Sequence, residues 1–585
     1  MIINSLVKYY DRLLKDGEDK MPVMGYVSRK VKYILEINEN GELLNIIPNT
    51  EPIIAGKKEI EVAKSFIVPD GGGRSSGIKP YFLCDNAKYL LGIDEKSDLG
   101  YSEKHFKATK ELHTKLLENV DNGYAKSVLS FFENWDITKI NEHSVIKEKL
   151  IDKEFLTTNL VFRIDAPMNS YAHENEEIKK IWNARFKEEL GDIGLCMLTG
   201  KEVPIARLHG NIKGIPGGQA AGVSLVSYNA NAFESFINSP ISEEVAFKYV
   251  SALNKLLSTT KNKIRIGETT VLFFSENNSN VSDATMGFSM GANVDGDGEL
   301  STIFEKMVKG NPVEIKEEDF NSDFYIIGLA PNNARVAVRF FMKNNFGLFL
   351  ENIQEHVDRF EIEGPPGKKE YLTPWELSQE ALNKNAKEKN DDLVITLLKA
   401  MLTDSDYPIS FISKILTRMK ADLHGDDVVQ KNAINYRRVG MIKAYLMKQS
   451  KYKEDITMPL NTKFDKPAYL LGRLFATYEK IQEDEGTHSN IKSNYFASAS
   501  VTPASIFPNV VKSGELYLQK LQGGLRVNRE KLVGTIMSML PAAPLPKNLN
   551  FEEQNLFVLG YYHQRQDFFK KSEDKKNETT EAEEN

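Results

Sequence analysis

Cysteine is nearly absent: Cys84 and Cys196 are the only two in 585 residues, and neither belongs to a Cys-x-x-Cys pair. That argues against a disulfide framework and a thiolate zinc site, and both side chains are expected in the core, where free cysteine is most often found. Long apolar runs are missing too. No stretch reaches the roughly 18 residues needed to cross a bilayer, and the opening MIINSLVKYYDRLLKDGE carries charges where a secretory signal would be apolar. A cytoplasmic protein with no membrane partner is expected. The signatures G-x-x-x-x-G-K-[ST], H-E-x-x-H and G-x-S-x-G do not occur, and the nine histidines are scattered. No catalytic residue, cofactor or metal is therefore expected. A formal net charge of −7 offers no general attraction to nucleic acid, so such a function has to rest on where the cations sit.

What is present is the balance of a globular chain, 41% hydrophobic and 27% charged, with length for several cores. A helix is expected over Ile2–Leu14, then a hairpin of VKYILEI and ELLNII joined through Asn40-Gly41, the dipeptide that tolerates positive φ at both positions. EVAKSFIVP, NLVFRI, LCML, GVSLVSYN, TTVLFFS and ARVAVRFFM read as strands. Helices are expected over Ser102–Glu118, Gly123–Trp135, Ile178–Glu189 and Glu243–Leu257. After EGPPGKKEYLTPWEL every long segment has helical periodicity. The fold class is α+β. The expected organisation is an α+β domain over 1–150, a second α+β region over 151–362, a helical region over 363–457, a small helical bundle over 458–570, and a disordered tail over 571–585 without large apolar residues.

Three features carry chemistry. RLHGNIKGIPGGQAAG, residues 207–222, sets Arg207, His209, Lys213 and Gln219 on a glycine-rich backbone that can approach a sugar-phosphate chain closely; Gln pairs with adenine edges, and Arg or Lys with guanine. GGGRSSGIK, residues 71–79, offers Arg74, Ser75, Ser76 and Lys79 as phosphate donors. Between Lys431 and Lys453 there are seven Lys or Arg and no acid, while Ile434, Met441, Ile442, Tyr445 and Leu446 fall at helical spacing. A helix that buries this stripe is expected to leave Arg437, Arg438, Lys443 and Lys448 solvated, a basic face for nucleic acid. Asn293, Asp295, Asp297 and Gly298 imitate the start of a calcium loop, but position twelve is Phe304, so a solvated acidic loop is expected.

The same stretches carry a resemblance. MIINSLVKYYDRL, KPYFLCDNAKYLLG, CMLTGKEVPIARLHGNIKGIPGGQAAGVSLVSYNANAFESF, GLAPNNARVAVRFF, LTPWEL, YLLGRLFATYEKIQE, NYFASASVTPASIFP and EEQNLFVLGYYHQRQDFF, in order from residue 1 to about 569, resemble the large subunit of the type I-C CRISPR Cascade complex. The resemblance implies a non-catalytic subunit of an RNA-guided complex that helps recognise the protospacer-adjacent motif on double-stranded DNA and open the duplex. It implies as partners a guide RNA, the Cascade backbone subunits, a helicase-nuclease recruited to the target, and a small subunit made from an internal start within the same reading frame. Met458, in a polar connector before a new helix at Pro467, is the candidate start. The division of labour fits a chain without a nucleophile, since base pairing reads the long sequence and protein reads only the short motif. Two other readings stay open: a metal-dependent nuclease or nucleotide-dependent enzyme, and a scaffold touching only protein.

Overall fold

The computed structural model describes residues 1–17, 21–55, 58–74, 77–94, 99–188, 190–227, 240–259, 261–277, 286–287, 289–290, 320–383, 390–486 and 491–583, with backbone alone at 53–55, 58, 99–101, 427 and 571–583. It divides into two compact units: Met1–Lys213 with Ala220–Lys255, and Gly214–Gln219 with Leu256–Asn585.

The first unit opens with helix α1 (Ile2–Asp16). Its sheet has the order β2 (Leu43–Pro48), β1 (Tyr26–Ile37), β7 (Asn159–Ile164), β6 (Cys84–Asn86), while β5 (Ser65–Pro69) pairs with β1 and β8 (Ser170–Tyr171) with β7. The β1–β2 hairpin is the one expected: Gly41 has φ 78°, and a Cβ there would lie 2.1 Å from the Phe131 backbone nitrogen, so both conformation and space call for glycine. Strands β1 and β7 run parallel, in register from Tyr33–Leu160 to Ile37–Ile164. Between them come α2 (Leu99–Leu117) and α3 (Gly123–Asn134), and α4 (Glu176–Glu188) follows β8. Phe82, Phe131, Phe132, Phe162 and Trp182 fill the core of this unit. The boundary expected at residue 150 is thereby corrected, because β7 completes the sheet that β1 began.

EVAKSFIVP is two strands rather than one. β4 (Lys58–Ala63) pairs with β3 (Thr50–Ala55), and after Lys64 the chain changes partner so that β5 pairs with β1. LCML is not a strand beyond Leu195: β9 (Ile193–Leu195) pairs with β10 (Glu202–Pro204), and Cys196–Gly200 turns, with Gly200 at φ 67°. Among the described residues GVSLVSYN forms no strand: Val223 bridges to Ile212, and 228–239 lie outside the described residues. Helix α5 (Glu243–Ser258) forms as its apolar stripe predicts. Both cysteines are fully buried, as expected.

The second unit pairs an antiparallel sheet with a helical bundle. Strands β11 (Lys263–Ile266), β12 (Thr269–Ser275), β13 (Asp323–Asn332) and β14 (Arg335–Asn345) lie in that order. Every residue of β12 is buried. Phe346, Phe349 and Ile353 of α6 (Phe346–Phe360) and Val394, Leu398 and Leu402 of α7 (Asp391–Thr403) close one core over this sheet. Further helices are α8 (Ile409–Asp422), α9 (Asp427–Lys431), α10 (Tyr436–Gln449), α11 (Pro467–Asp484), α12 (Ile491–Ala499), α13 (Pro503–Leu518), α14 (Gly523–Met539) and α15 (Phe551–Glu583). One core runs unbroken from Phe360 to Tyr562, so packing marks no boundary at 457/458, and the sheet belongs with the helices rather than ending a domain at 362. The tail expected to be disordered continues α15 to Glu583. Adding a turn to an existing helix avoids the cost of nucleation, and Lys, Glu and Ala suit that extension. The calcium-like stretch 293–299 lies outside the described residues.

Candidate nucleic-acid interface

Residues 207–213 are stapled to α5. The Lys213 N–H donates to Asn254 Oδ1 at 2.7 Å, and Asn254 Nδ2 donates to the Asn211 carbonyl at 3.2 Å. Ile212 and Val223 exchange two backbone hydrogen bonds of 2.8 Å, and buried Ile212 anchors the turn. Glycine is required at Gly222: φ is 99°, and a Cβ would come 2.8 Å from Asn211 Cβ. The backbone is thus fixed before any ligand arrives, while the side chains of Arg207 and Lys213 project into solvent. Gln219 is exposed too, within the segment that belongs to the second unit. His209 is different. Its Nδ1 lies 2.7 Å from the Tyr249 hydroxyl, and burial lowers its pKa, so it serves as a neutral anchor rather than a phosphate donor.

The second glycine-rich loop is locked through Arg74. Nη1 donates to Asp85 Oδ1 at 2.8 Å, Nη2 also reaches Asp85, and Nε donates to the Lys79 carbonyl at 2.6 Å. The guanidinium lies 3.6 Å from the Tyr81 ring centroid and 3.8 Å from that of Tyr89. Asp85 is wholly buried; burial pushes its carboxyl up, and Arg74 opposes that. Releasing Arg74 to a phosphate would strand a buried carboxylate, so its expected role as phosphate donor is corrected to that of a clamp. Lys79 remains exposed, and Ser75 and Ser76 lie outside the described residues.

The basic helix forms, as α10, yet its face is not solvated. Arg438 is 4% exposed and held by Asp422 at 2.8 Å and Glu380 at 3.3 Å. Lys443 is 1% exposed, its Nζ donating to the carbonyls of Asp358 at 3.3 Å and Arg359 at 3.0 Å. Those carbonyls end α6, where a helix dipole favours a cation. Lys448 pairs with Asp404 at 2.5 Å, and half-buried Arg437 faces Glu380 at 3.6 Å. The acids missing from residues 431–453 arrive from α8 and from the segments after α7 and before it.

Arg437 and Arg438 both lie on a groove that encloses about 900 Å³ and includes Lys431, Tyr436, Lys492, Arg565 and Phe569 in its walls beside the acids Glu380, Asp422 and Asp426, and of the two it is Arg437 that is the more exposed. Arg565 is committed to Glu483 at 2.9 and 3.0 Å. Burial lowers the Lys492 pKa, and Phe569 is 54% exposed. Cations beside aromatic faces are the inventory of a single-strand groove. A further concentration of exposed cations, Lys512, Lys520, Arg526, Lys531 and Lys547, lies on and beside α13 and α14. Its signal was in the sequence, since residues 491–550 hold seven Lys or Arg against two Glu, diluted over 60 residues. Met458 is 38% exposed in the connector before α11, and Leu471, Leu474, Phe475, Tyr478 and Ile481 of that helix are all buried as their spacing predicts.

The α+β chain thus holds exposed cations on a braced glycine loop and lines a helical groove with cations, aromatics and the acids Glu380, Asp422 and Asp426. Residues 6–569 match the CRISPR-associated protein family Cas_Csd1, and the chain belongs to that family. No curated protein matches the chain. Membership makes it a CRISPR-associated protein of the Cascade type, a component of a CRISPR effector complex. Among the described residues no helix is long and apolar enough to cross a membrane.

Proposed function

We propose that the chain is the large subunit of a type I-C RNA-guided DNA surveillance complex, without catalytic activity of its own. In this reading it helps recognise the adjacent motif on the target duplex, helps open that duplex, and holds the displaced strand in the groove of Lys431, Arg437 and Lys492. Its partners are the guide RNA, the backbone subunits, a recruited helicase-nuclease, and a small subunit begun at Met458. The observation that carries the reading is the braced backbone of residues 207–213, which presents Arg207 and Lys213 to solvent without a loop-ordering cost on binding.

Arg207 holds phosphate, and Lys213 or Gln219 reaches base edges, where a good contact is worth about 1–3 kcal/mol of discrimination. Replacing Lys213 and Gln219 by Ala, singly and together, is expected to weaken binding of the assembled complex to motif-bearing duplex about tenfold or more, and to motif-free duplex far less. Equal weakening on both would reduce the loop to a general phosphate contact. Metal-dependent cleavage of DNA or RNA by the purified chain would favour the nuclease reading instead.

A further inference from the structure

The hairpin of β9 and β10 buries only one of its faces. Successive side chains along a strand point to opposite faces. Cys196 is fully buried on the inner face, and a Cβ at Gly194 would lie 3.0 Å from Ile205 Cγ1. Ile193, Leu195 and Met197 alternate with these and point outward, 75%, 61% and 66% exposed, with Leu198 beside them at 41%. Glu202 stands opposite Leu195 and Pro204 opposite Ile193, on that same outer face. Single exposed apolar side chains are ordinary on a protein surface, but four within the six residues 193–198 form a patch of the kind that marks an interaction site.

The backbone of β9 is open along the same strand. In an antiparallel pair, residues that exchange hydrogen bonds with the partner alternate with residues whose N–H and C=O point the other way. The Ile205 N–H donates to the Asp192 carbonyl and the Cys196 N–H to the Lys201 carbonyl, both at 2.9 Å, so 192, 194 and 196 face β10. The N–H and C=O of Ile193 and Leu195 therefore lie on the other edge. Pro204, which has no N–H to give, sits opposite Ile193, where the ladder asks for none. The Met197 N–H continues the outer row and is taken by the Pro240 carbonyl at 2.9 Å, while among the described residues no strand pairs with Ile193 or Leu195 from that side. The hairpin is held from behind: the Ala206 N–H donates to the Ile241 carbonyl at 2.9 Å, and the Ser242 N–H to Cys196 Sγ at 3.4 Å. A braced, apolar, unpaired edge is a template for another strand.

We propose that β9 pairs with a strand from another protein subunit of the effector complex, an extended segment with apolar side chains at alternate positions and a cation facing Glu202. Three observations select this occupant. The outward N–H and C=O groups of Ile193 and Leu195 are matched by a polypeptide strand and not by a sugar-phosphate chain. Exposed Glu202, on the same face, repels phosphate and attracts Lys or Arg. A three-residue strand with four exposed apolar side chains falls short of the ~800 Å² per partner that a stable pair needs, so the contact belongs to an assembly that other surfaces hold together rather than to a dimer of this chain. It does not depend on motif reading by residues 207–213 and rests only on membership in the complex.

The test compares the purified effector complex with the full chain alone. Amide hydrogen exchange at Ile193 and Leu195 is expected to slow about tenfold or more on assembly, as a newly made backbone hydrogen bond requires. With p-benzoylphenylalanine in place of Met197, irradiation should join the chain to another protein subunit, at a peptide with alternating apolar residues. Leu195→Pro removes an outward N–H and leaves the β9–β10 ladder whole, so the chain alone should keep its melting midpoint while the crosslinked yield falls about tenfold. Should that variant not fold, the exchange and crosslinking of the parent decide alone. Equal exchange in the complex and in the chain, a crosslink to nucleic acid, or one to a second copy of this chain would each overturn the proposal.

Discussion

Arg437 and Arg438 are adjacent in sequence and opposite in setting, which makes the pair a direct test of where the cations of α10 act. Arg438→Gln removes a guanidinium whose Nη1 serves Asp422 and the Ala433 carbonyl, both at 2.8 Å, and whose Nε serves the Glu380 carbonyl at 3.1 Å. Breaking one side of a buried ion pair costs about 3–5 kcal/mol. Here Asp422 keeps the Arg418 Nε at 2.7 Å and Glu380 keeps Arg437, so the lower end, about 3 kcal/mol, is expected. For a unit of this size that is roughly 4 °C in melting midpoint. Arg437→Gln, half-buried with one ion pair at 3.6 Å, should cost under about 1 kcal/mol. The assay is paired: thermal melts of each variant, and the salt dependence of single-stranded DNA binding at a temperature where both are folded. Arg438→Gln should lower the midpoint and leave the salt slope unchanged; Arg437→Gln should do the reverse. An Arg438 variant that melts like the parent and flattens the salt slope would refute the buried assignment.

Four further outcomes can be checked. Changing Lys431, Arg437 and Lys492 together to Gln should flatten the logarithmic salt slope on single strands by about 0.7 for each phosphate left without its cation, and an unaltered slope would remove the groove from the strand's path. Gly472→Ala and Gly560→Ala should each cost about 2 kcal/mol in melts, because the new Cβ would sit 2.1 Å from the Phe557 oxygen and 2.2 Å from the Tyr469 oxygen; Gly534→Ala, which meets nothing within 4 Å, should stabilise by up to about 1 kcal/mol. Burial lowers the pKa of His113 to about 4 and, with Arg359 and Lys448, that of His356 to about 3, so between those values and 6.5 the unfolded chain binds more protons. Stability is then whole above pH 6.5 and falls as pH drops, by about 1 kcal/mol per histidine between pH 7 and 5.5; a flat profile in denaturant titrations would contradict it. Recoding Met458 to Leu should remove a 128-residue C-terminal product from mass spectra of the purified complex, and finding no such product from the parent gene would exclude the internal start.

The sequence made local geometry legible and left pairing hidden. The Asn40-Gly41 hairpin and the buried stripe of α11 are set by residues within a few positions of one another, so their patterns survive in one dimension. Strand β13 escapes such a reading because it is buried on both faces and shows no alternation. The cations of α10 mislead for a related reason. An acid-free run reads as solvated, but Glu380, Asp404 and Asp422 reach it from 16 to 58 residues away in the chain, and the carbonyls that hold Lys443 belong to the end of another helix. Arg74 shows the same limit: a loop cation and a buried Asp85 eleven residues on become a clamp only once Tyr81 and Tyr89 close over them.

The docking of α15 against the segments before residue 458 has a consequence for heredity. Phe551 meets Tyr445 with ring centroids 5.7 Å apart, Glu552 accepts from Ser450, Gln554 from Lys420, Tyr562 donates to the Glu363 carbonyl, and Lys570 pairs with Glu363. A polypeptide begun at Met458 would carry the α15 half of every one of these contacts and the other half of none. The same codons would then have to satisfy two environments at once, a covered face in the long chain and an uncovered one in the short chain. Selection at those positions should favour side chains that are tolerable in water as well as in the core, and Glu552, Gln554, Tyr562 and Lys570 all carry a polar end that water can serve when the partner is missing.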